Sequence, residues 1–373
     1  MLFAYDGTGL GHLMRLIRIA DCLREDFTPL VVTGHRAVCE IIPDNIEFVR
    51  LPVFEQAASR QSGMQGHSLS VKEFRSDTIR YIGKLFKPHV LITDYMPAGK
   101  KNELLEMIAS SPCLKYLVMR GDIGSEEQLH HVVFSPDNNR LIEQCYNRIF
   151  IASDPRIEDF SSDASIPGPV REKFKHVGFV TRAISSAEVA QVRLARGLAP
   201  SDRWVVCSAG GGRMGESLVH CCLKLVGDKR FEGVQFDIVQ GHYSEIPWPD
   251  PLYDTLSLGR NIRLTRASNA LPLMHAAADC VICSGGYNSL LETIQGRPKH
   301  VLAYSVQVNE EEQKRNILRL GRFYPIRRLR NLDDLSGELA EILQTAPEAA
   351  SLPLALDGAR IIAQTIKEDF STC

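Results

Sequence analysis

The sequence predicts an α/β protein made of two domains, each built on a parallel sheet. Three observations carry this expectation. Short apolar runs alternate with amphipathic stretches along most of the chain, the pattern of strands joined by crossover helices. A strand running directly into a glycine-rich turn opens the chain, at Met1 to Tyr5 and Asp6-Gly-Thr-Gly-Leu-Gly-His12, and the same device returns at Trp204 to Ser208 and Ala209-Gly-Gly-Gly-Arg213. Between them, from Phe160 to Arg182, the composition shifts to Ser-Ser-Asp-Ala-Ser and Pro167-Gly-Pro169. The expected organisation is a first domain over 1–165, a linker over 166–183, a second domain over 184–350, and a terminal helix in 351–373 packing back on the first domain. With 373 residues, 44% of them hydrophobic, the chain is long enough to bury two cores.

Composition also excludes several classes. A net charge of −2 lacks the basic stripe of a general nucleic-acid binder. No apolar run approaches the roughly 18 residues of a spanning helix, and the amino terminus reads as a strand rather than a charged leader, so a cytoplasmic protein without an integral membrane segment is expected. The ten cysteines are scattered through apolar stretches (Cys22, Cys39, Cys145, Cys207, Cys221, Cys222), as befits reduced, mostly buried thiols. Cys280 and Cys283 form a C-x-x-C, but Val281-Ile282 between them makes a strand, and no second pair or histidine cluster completes a zinc site. No metal is expected.

In the first half, the opening strand leads to a helix with apolar residues at Leu13, Leu16, Ile17, Ala20 and Leu23. Gly7, Gly9 and Gly11 allow a tight turn and close approach to a ligand, with His12 at the mouth of the helix. This is not the dinucleotide fingerprint. The glycine spacing differs from G-x-G-x-x-G, and the next strand, Pro29 to Thr33, ends in Gly34-His35 rather than an acid. His12, with Asp6 just before the turn, reads as a general base or as a helix-capping histidine. Further strands are expected at Phe48 to Leu51, Val90 to Thr93, Tyr116 to Met119 and Arg148 to Ala152, and a mobile loop at Phe54 to Leu69. Asp94 and Arg120 end two of these strands, where open sheets bind ligands; each reads as functional or as a buried polar anchor.

In the second half, a helix (Ser186 to Arg196) precedes the strand Trp204 to Ser208, whose turn carries Gly210, Gly211 and Arg213, a charge suited to a diphosphate. Strands follow at Gln235 to Gln240 and Ile262 to Leu264. The stretch that organises this half is Cys280-Val-Ile-Cys-Ser-Gly-Gly-Tyr-Asn-Ser-Leu-Leu-Glu292. Its strand meets a small-residue turn (Ser284, Gly285, Gly286) and a helix opening on Asn288 and Ser289, which leaves backbone N–H groups and a positive dipole end for a phosphate. Glu292, about two helical turns in, offers a carboxylate for two hydroxyls, as of a ribose. After the strand His300 to Tyr304, Glu312 and Gln313 begin another helix; an adjacent acid and amide suit sugar hydroxyls, or form a solvated first turn. Helices at Leu335 to Gln344 and after Leu356 complete the chain.

These motifs, in this order, resemble the GT-B glycosyltransferases, specifically glycosyltransferase family 28, the branch containing the N-acetylglucosaminyltransferase of peptidoglycan lipid precursors. Gly7-Thr-Gly-Leu-Gly-His12, Ser208-Ala-Gly-Gly-Gly212, Ser284 through Glu292, and Glu312-Gln313 with Asn316 match its successive signatures over nearly the whole chain. The resemblance implies an α/β GT-B fold, with two Rossmann-like parallel-sheet domains facing a central cleft. It implies a hexosyltransferase that takes a nucleotide-sugar donor, most often a UDP-sugar such as UDP-GlcNAc, and needs neither metal nor cofactor. Gly210, Gly211, Arg213, Ser284, Gly285, Gly286, Asn288, Ser289, Glu292, Glu312, Gln313 and Asn316 would bind the donor. His12, with Asp6, would be catalytic; Gly9, Gly11, Asp94 and Arg120 would lie on the acceptor side, in the first domain. Leu10-Gly11 stands where the family has a glycine pair, and no membrane-facing apolar and basic patch is evident near the amino terminus, so a soluble small-molecule or natural-product acceptor is favoured. Gly11-His-Leu-Met-Arg15 with Ile19-Ala-Asp21 also resembles the nucleotide-sugar hydrolase of pseudaminic acid biosynthesis, in which His12 would activate water. A GT-B nucleotide-sugar 2-epimerase is a third enzyme possibility, though its acid set is not found. An intact His12 argues against a mere binding protein.

Overall fold

The computed structural model describes residues 1–7, 9–54, 70–121, 125–211, 215–245, 261–305, 310–350 and 353–372. They form two compact units, Met1–Thr181 with Ala355–Cys373, and Arg182–Leu354. The first unit carries β1 (Leu2–Phe3), β2 (Leu30–Thr33), β3 (Glu47–Arg50), β4 (Val90–Asp94), β5 (Leu114–Arg120), β6 (Arg148–Ala152) and β7 (Phe174–His176). They lie in the order β3-β2-β1-β4-β5-β6-β7, and every pairing is parallel. Its helices are α1 (Gly11–Leu23), α2 (Val38–Ile41), α3 (Val71–Phe86), α4 (Leu105–Ser110), α5 (Pro136–Cys145) and α6 (Gly168–Arg171), with a π-helix at Gln128–Val133. β4 is buried along its whole length, as a strand covered on both faces must be, and its near-continuous apolar sequence reflects that. The α1 stripe Leu13, Leu16, Ile17, Ala20 and Leu23 is buried, and Ser70 and Glu73 close a capping box that starts α3.

The second unit holds α7 (Ser186–Arg196), β8 (Trp204–Ser208), α8 (Glu216–Lys224), β9 (Gln235–Val239), β10 (Ile262–Thr265), α9 (Leu271–Ala277), β11 (Cys280–Ser284), α10 (Tyr287–Gly296), β12 (His300–Tyr304), α11 (Glu310–Leu320), β13 (Arg327–Leu329) and α12 (Leu335–Ile342). Its parallel strand order is β10-β9-β8-β11-β12-β13. α7 opens on a Ser185/Glu188 capping box and stops at Gly197, which takes the left-handed conformation (φ 78°). In both sheets the chain winds outward in two directions from a central pair of strands. That pair is β1 and β4 in the first unit, β8 and β11 in the second. The crevice at the carboxyl ends of such a pair is where open α/β sheets take ligands.

One expectation is corrected here. Residues 166–183 are not a linker: they build α6 and β7, and the first unit runs on to Thr181. Pro167 and Pro169, which suggested a break, are the N-cap and first turn of α6, where a missing N–H costs nothing. α13 (Gly358–Ser371) belongs to the first unit, with Ile362 and Ile366 fully buried, Lys367 paired to Asp26 at 2.5 Å, and Asp369 accepting from Arg148 Nε at 2.7 Å. The chain re-enters that unit where Gly178 and Gly358 pack backbone on backbone; a Cβ on Gly358 would lie 2.5 Å from the Gly178 carbonyl. The loop expected at Phe54 to Leu69 falls, beyond residue 54, outside the described residues.

Cys113, Cys207, Cys222, Cys280 and Cys283 are buried thiols, whereas Cys39 is exposed. Burial pushes the Cys283 thiol up to about 12, so it stays protonated and inert. None of the described helices is long and apolar enough to cross a membrane.

Candidate active site

At the switch point of the first sheet, the turn after β1 and the end of β4 bring His12 and Asp94 together. His12 Nδ1 lies 2.6 Å from Asp94 Oδ2, and Arg15, one turn further along α1, donates from Nε and Nη2 to Asp94 Oδ1 at 2.9 and 2.5 Å. Asp94 is fully buried. Burial alone would raise its carboxyl, but the Arg15 guanidinium and the His12 ring outweigh it and hold it below the usual carboxylate range. A charged Asp94 facing Nδ1 assigns the proton to that nitrogen and leaves Nε2 with a lone pair. The His12 side chain is 19% exposed, and Nε2 has no partner among the described residues. The site can therefore take a proton from a bound hydroxyl or water.

The rings of Tyr5 and Tyr95 stand around His12, with centroids 5.1 and 5.4 Å from it and 5.1 Å from each other. Burial, then the charges of Tyr95, Glu103, Asp6 and Asp94, push the Tyr5 phenol above its usual value. Gly7 is sterically required: a Cβ there would sit 2.8 Å from His12 Cδ2. Gly9 is not, since a Cβ there would meet nothing within 4 Å. Gly11 is the first residue of α1, and Arg120 ends β5 half-buried on the same edge of the sheet.

Asp6 is not the partner of His12, a correction to the expectation from their nearness in sequence. Its carboxylate turns away, accepting from Gly34 N at 2.8 Å and pairing with Arg75 Nη1 at 2.7 Å. Arg75, fully buried, also donates to Glu103 at 3.0 Å and to the Pro52 carbonyl at 2.8 Å. Gly34 leaves room for this pair; its Cβ would fall 2.3 Å from Asp6 Oδ2. Asp6 thus anchors the floor of the turn.

In the second unit the glycine turns after β8 and β11 meet. Gly210 takes φ +67°, and a Cβ on it would lie 3.3 Å from Ser284 Oγ and 4.0 Å from Ser289 Cβ. Gly210 N donates to Ser208 Oγ at 3.3 Å, and the Gly211 carbonyl accepts from Tyr243 N at 2.8 Å, tying in the turn after β9. Gly286 is the N-cap of α10 and no side chain caps the helix, so the N–H groups of its first turn, which includes Asn288 and Ser289, have the geometry that suits an anion. Buried polar atoms without hydrogen-bond partners among the described residues occur in the segments that follow β9, β11 and β12: both side-chain polar atoms of Gln240, Ser289 Oγ and Ser305 Oγ. Sequence reasoning passed over Gln240 and Ser305, because a lone polar residue after a strand carries no motif. It likewise passed over Arg266, which follows β10 and donates to the Ser244 carbonyl at 3.2 Å.

Two donor-side expectations change, those for Gly285 and Asn316. Gly285 cannot offer its N–H to a phosphate, because that N–H bonds the Tyr304 carbonyl at 2.9 Å. Asn316 is no sugar reader: it is buried and its Nδ2 donates to the Gly285 carbonyl at 3.2 Å. Gln313 is buried too, its backbone and Cβ lying against Gly285. Together they dock α11 on the β11 turn, while Glu292 and Glu312 remain half-buried. Arg213 lies outside the described residues. Gly285→Ala would place a Cβ 2.9 Å from Gln313 Cβ, the Gln313 carbonyl and Ile317 Cδ1. It is expected to destabilise the second unit by about 1–3 kcal/mol in denaturant unfolding, the usual cost of overpacking.

Each unit is thus a doubly wound parallel sheet with polar groups gathered at its switch point, and two such units in one chain define a double Rossmann-like protein. That architecture is the GT-B fold. No protein-family model and no curated protein matches the chain. Among solved structures, a protein of Listeria monocytogenes assigned as a UDP-N-acetylglucosamine 2-epimerase aligns with TM-score 0.60 at 13% identity, over 100% of this chain and 97% of that one. Phytolacca americana UGT2, solved with UDP-2-fluoro-glucose and pterostilbene, aligns with TM-score 0.58 at 13% identity, over 99% of each chain. The glycosyltransferase SnogD from Streptomyces nogalater aligns with TM-score 0.57 at 14% identity, over 99% and 95%. At such identity the likeness establishes the fold alone.

Proposed function

We propose that the protein is a glycosyltransferase of the family 28 kind, moving a sugar from a nucleotide sugar, probed first with UDP-sugars such as UDP-GlcNAc, to a soluble small-molecule acceptor without a metal. The observation that carries this reading is that both switch points are chemically furnished, one with an oriented base and the other with an uncapped helix N-terminus. His12 Nε2 takes the proton of an acceptor hydroxyl while its oxygen bonds to the anomeric carbon. The bond from that carbon to the donor's diphosphate breaks, and the nucleoside diphosphate leaves with the electron pair. Asp94 stabilises the imidazolium that forms, and Arg15 fixes Asp94. The first turn of α10, with Gly286, Asn288 and Ser289, and the Gly210-Gly211 turn take the diphosphate charge. Glu292 holds the ribose hydroxyls and Glu312 those of the sugar.

A second reading has its own support: His12 and Arg15 of Gly11-His-Leu-Met-Arg15 close on one carboxylate, so the same base would serve a hydrolase acting on water. The deciding experiment is nucleoside diphosphate release from a panel of nucleotide sugars, in water and with candidate acceptors. Release that requires an acceptor is expected. Glu292→Ala should weaken donor binding about 10-fold, the worth of hydrogen bonds to a charged group. Equal release in water would replace the transferase by the hydrolase, and a donor affinity untouched in Glu292→Ala would remove the ribose assignment.

A further inference from the structure

The backbone at Tyr95 is the anomaly of the first unit. Tyr95 takes φ +66°, a region that a bulky aromatic residue occupies only under strain. Met96 N donates to the Asp94 carbonyl at 2.8 Å, so Tyr95 is the centre of a γ-turn of the rarer, positive-φ form. Strain of this kind persists only where the surroundings impose it, and it concentrates at functional sites. Here the surroundings are identifiable. Tyr95 N continues the sheet to the Val118 carbonyl at 2.8 Å, its ring packs against both Tyr5 and His12, and its phenol accepts from Gln128 Nε2 in the π-helix. A π-helix is itself uncommon and recurs at functional sites.

The turn has two effects at once. It ends β4 immediately after Asp94, fixing the carboxylate that faces Nδ1, and it folds the next side chain back over the imidazole that carboxylate orients. We infer that Tyr95 is a positioning residue for His12: its strained γ-turn and Gln128-anchored ring keep the imidazole seated against Asp94, and so in the Nδ1–H tautomer with Nε2 presented. The ring touches the base and is almost wholly buried, so it acts through His12 rather than on a substrate. This inference rests on reading His12 as the base, and its test separates the two.

The test uses the full chain with ¹⁵N-labelled histidine, observed at a pH where His12 is neutral. In the wild type, His12 is expected as the Nδ1–H tautomer; an Nε2–H or averaged tautomer overturns the inference with no variant needed. Tyr95→Leu keeps the backbone strain of a non-glycine residue but removes the ring. It is expected to move His12 toward averaged tautomers and to lower kcat on the order of 100-fold, the cost of misplacing a reacting group, with KM for the donor little changed. Tyr95→Phe keeps the ring but loses the Gln128 anchor; it should shift the tautomer less than Tyr95→Leu, with a loss of no more than about 5-fold, the worth of one hydrogen bond. Gln128→Leu loosens the ring without removing it and should shift the tautomer in the same direction by less. It serves if Tyr95→Leu does not fold. A wild-type tautomer in the folded Tyr95→Leu variant, or in Gln128→Leu if that is the variant available, overturns the inference. Tautomer shifts as expected in a protein that turns over no nucleotide sugar would leave the positioning intact and sink the proposed function instead.

Discussion

His12→Ala is expected to lower turnover by about 10²- to 10⁴-fold, the range contributed by a positioned general base, while donor affinity stays nearly constant. The separation follows from the two units: the proposed base belongs to the first, and the helix N-terminus and glycine turns proposed for the donor belong to the second. Asp94→Asn is the sharper companion. An amide there can face Nδ1 with either its oxygen or its nitrogen, so the ring is no longer held to one tautomer. The substitution also removes the charge that Arg15 neutralises, leaving a guanidinium only 5% exposed without its anion. A loss comparable to His12→Ala is therefore expected, with some loss of stability. Steady-state rates against donor and acceptor, beside calorimetric donor binding, decide the matter. Wild-type rates in His12→Ala would move the base elsewhere, and equal losses of rate and donor affinity would mean that the substitution disturbs more than proton transfer.

Arg75→Met should have the largest effect on stability, about 3–5 kcal/mol, because it strips the cation from a buried cluster while leaving its anions in place. Arg75 is fully buried between Asp6 and Glu103, with its guanidinium 4.5 Å from the Phe54 ring centroid. Methionine fills similar volume, so the loss would report uncompensated carboxylates rather than a cavity. Urea unfolding of the first unit measures it. A change below about 1 kcal/mol would show that water or rearrangement satisfies Asp6 and Glu103, and that the cluster does not fix the β1 turn.

Much of this fold was legible in the sequence where a strand is buried on both faces and bounded by breakers. Trp204 to Ser208 and His300 to Tyr304 are such runs, and the structure gives both strands those bounds. β7 and β13 escaped notice for the opposite reason. Phe-Lys-His and Arg-Arg-Leu are three-residue edge strands carrying cations, which guard an edge but erase the apolar signal. The site shows the same division. The glycine turns and His12 announce themselves locally, whereas the partner of His12 is set by strand order, which places β4 rather than the preceding Asp6 beside it. Gly285, Gln313 and Asn316 carry another lesson. Their types suit phosphate and sugar, but a small residue flanked by polar ones suits the docking of a helix equally, and the sequence alone does not tell these uses apart.

The return of α13 to the first unit bears on how the protein is made. The second unit is a continuous stretch of chain, able to close its sheet as soon as residue 354 has emerged. The first unit cannot be completed until the ribosome has passed through all of the second, since Ile362, Ile366 and the Asp369 anchor are translated after it. Until then the α1 and sheet surfaces awaiting α13 stay uncovered, the kind of transiently exposed apolar face that chaperones bind. Completion of this protein should therefore proceed from the middle outward, with His12 and Asp94 belonging to the half that matures last.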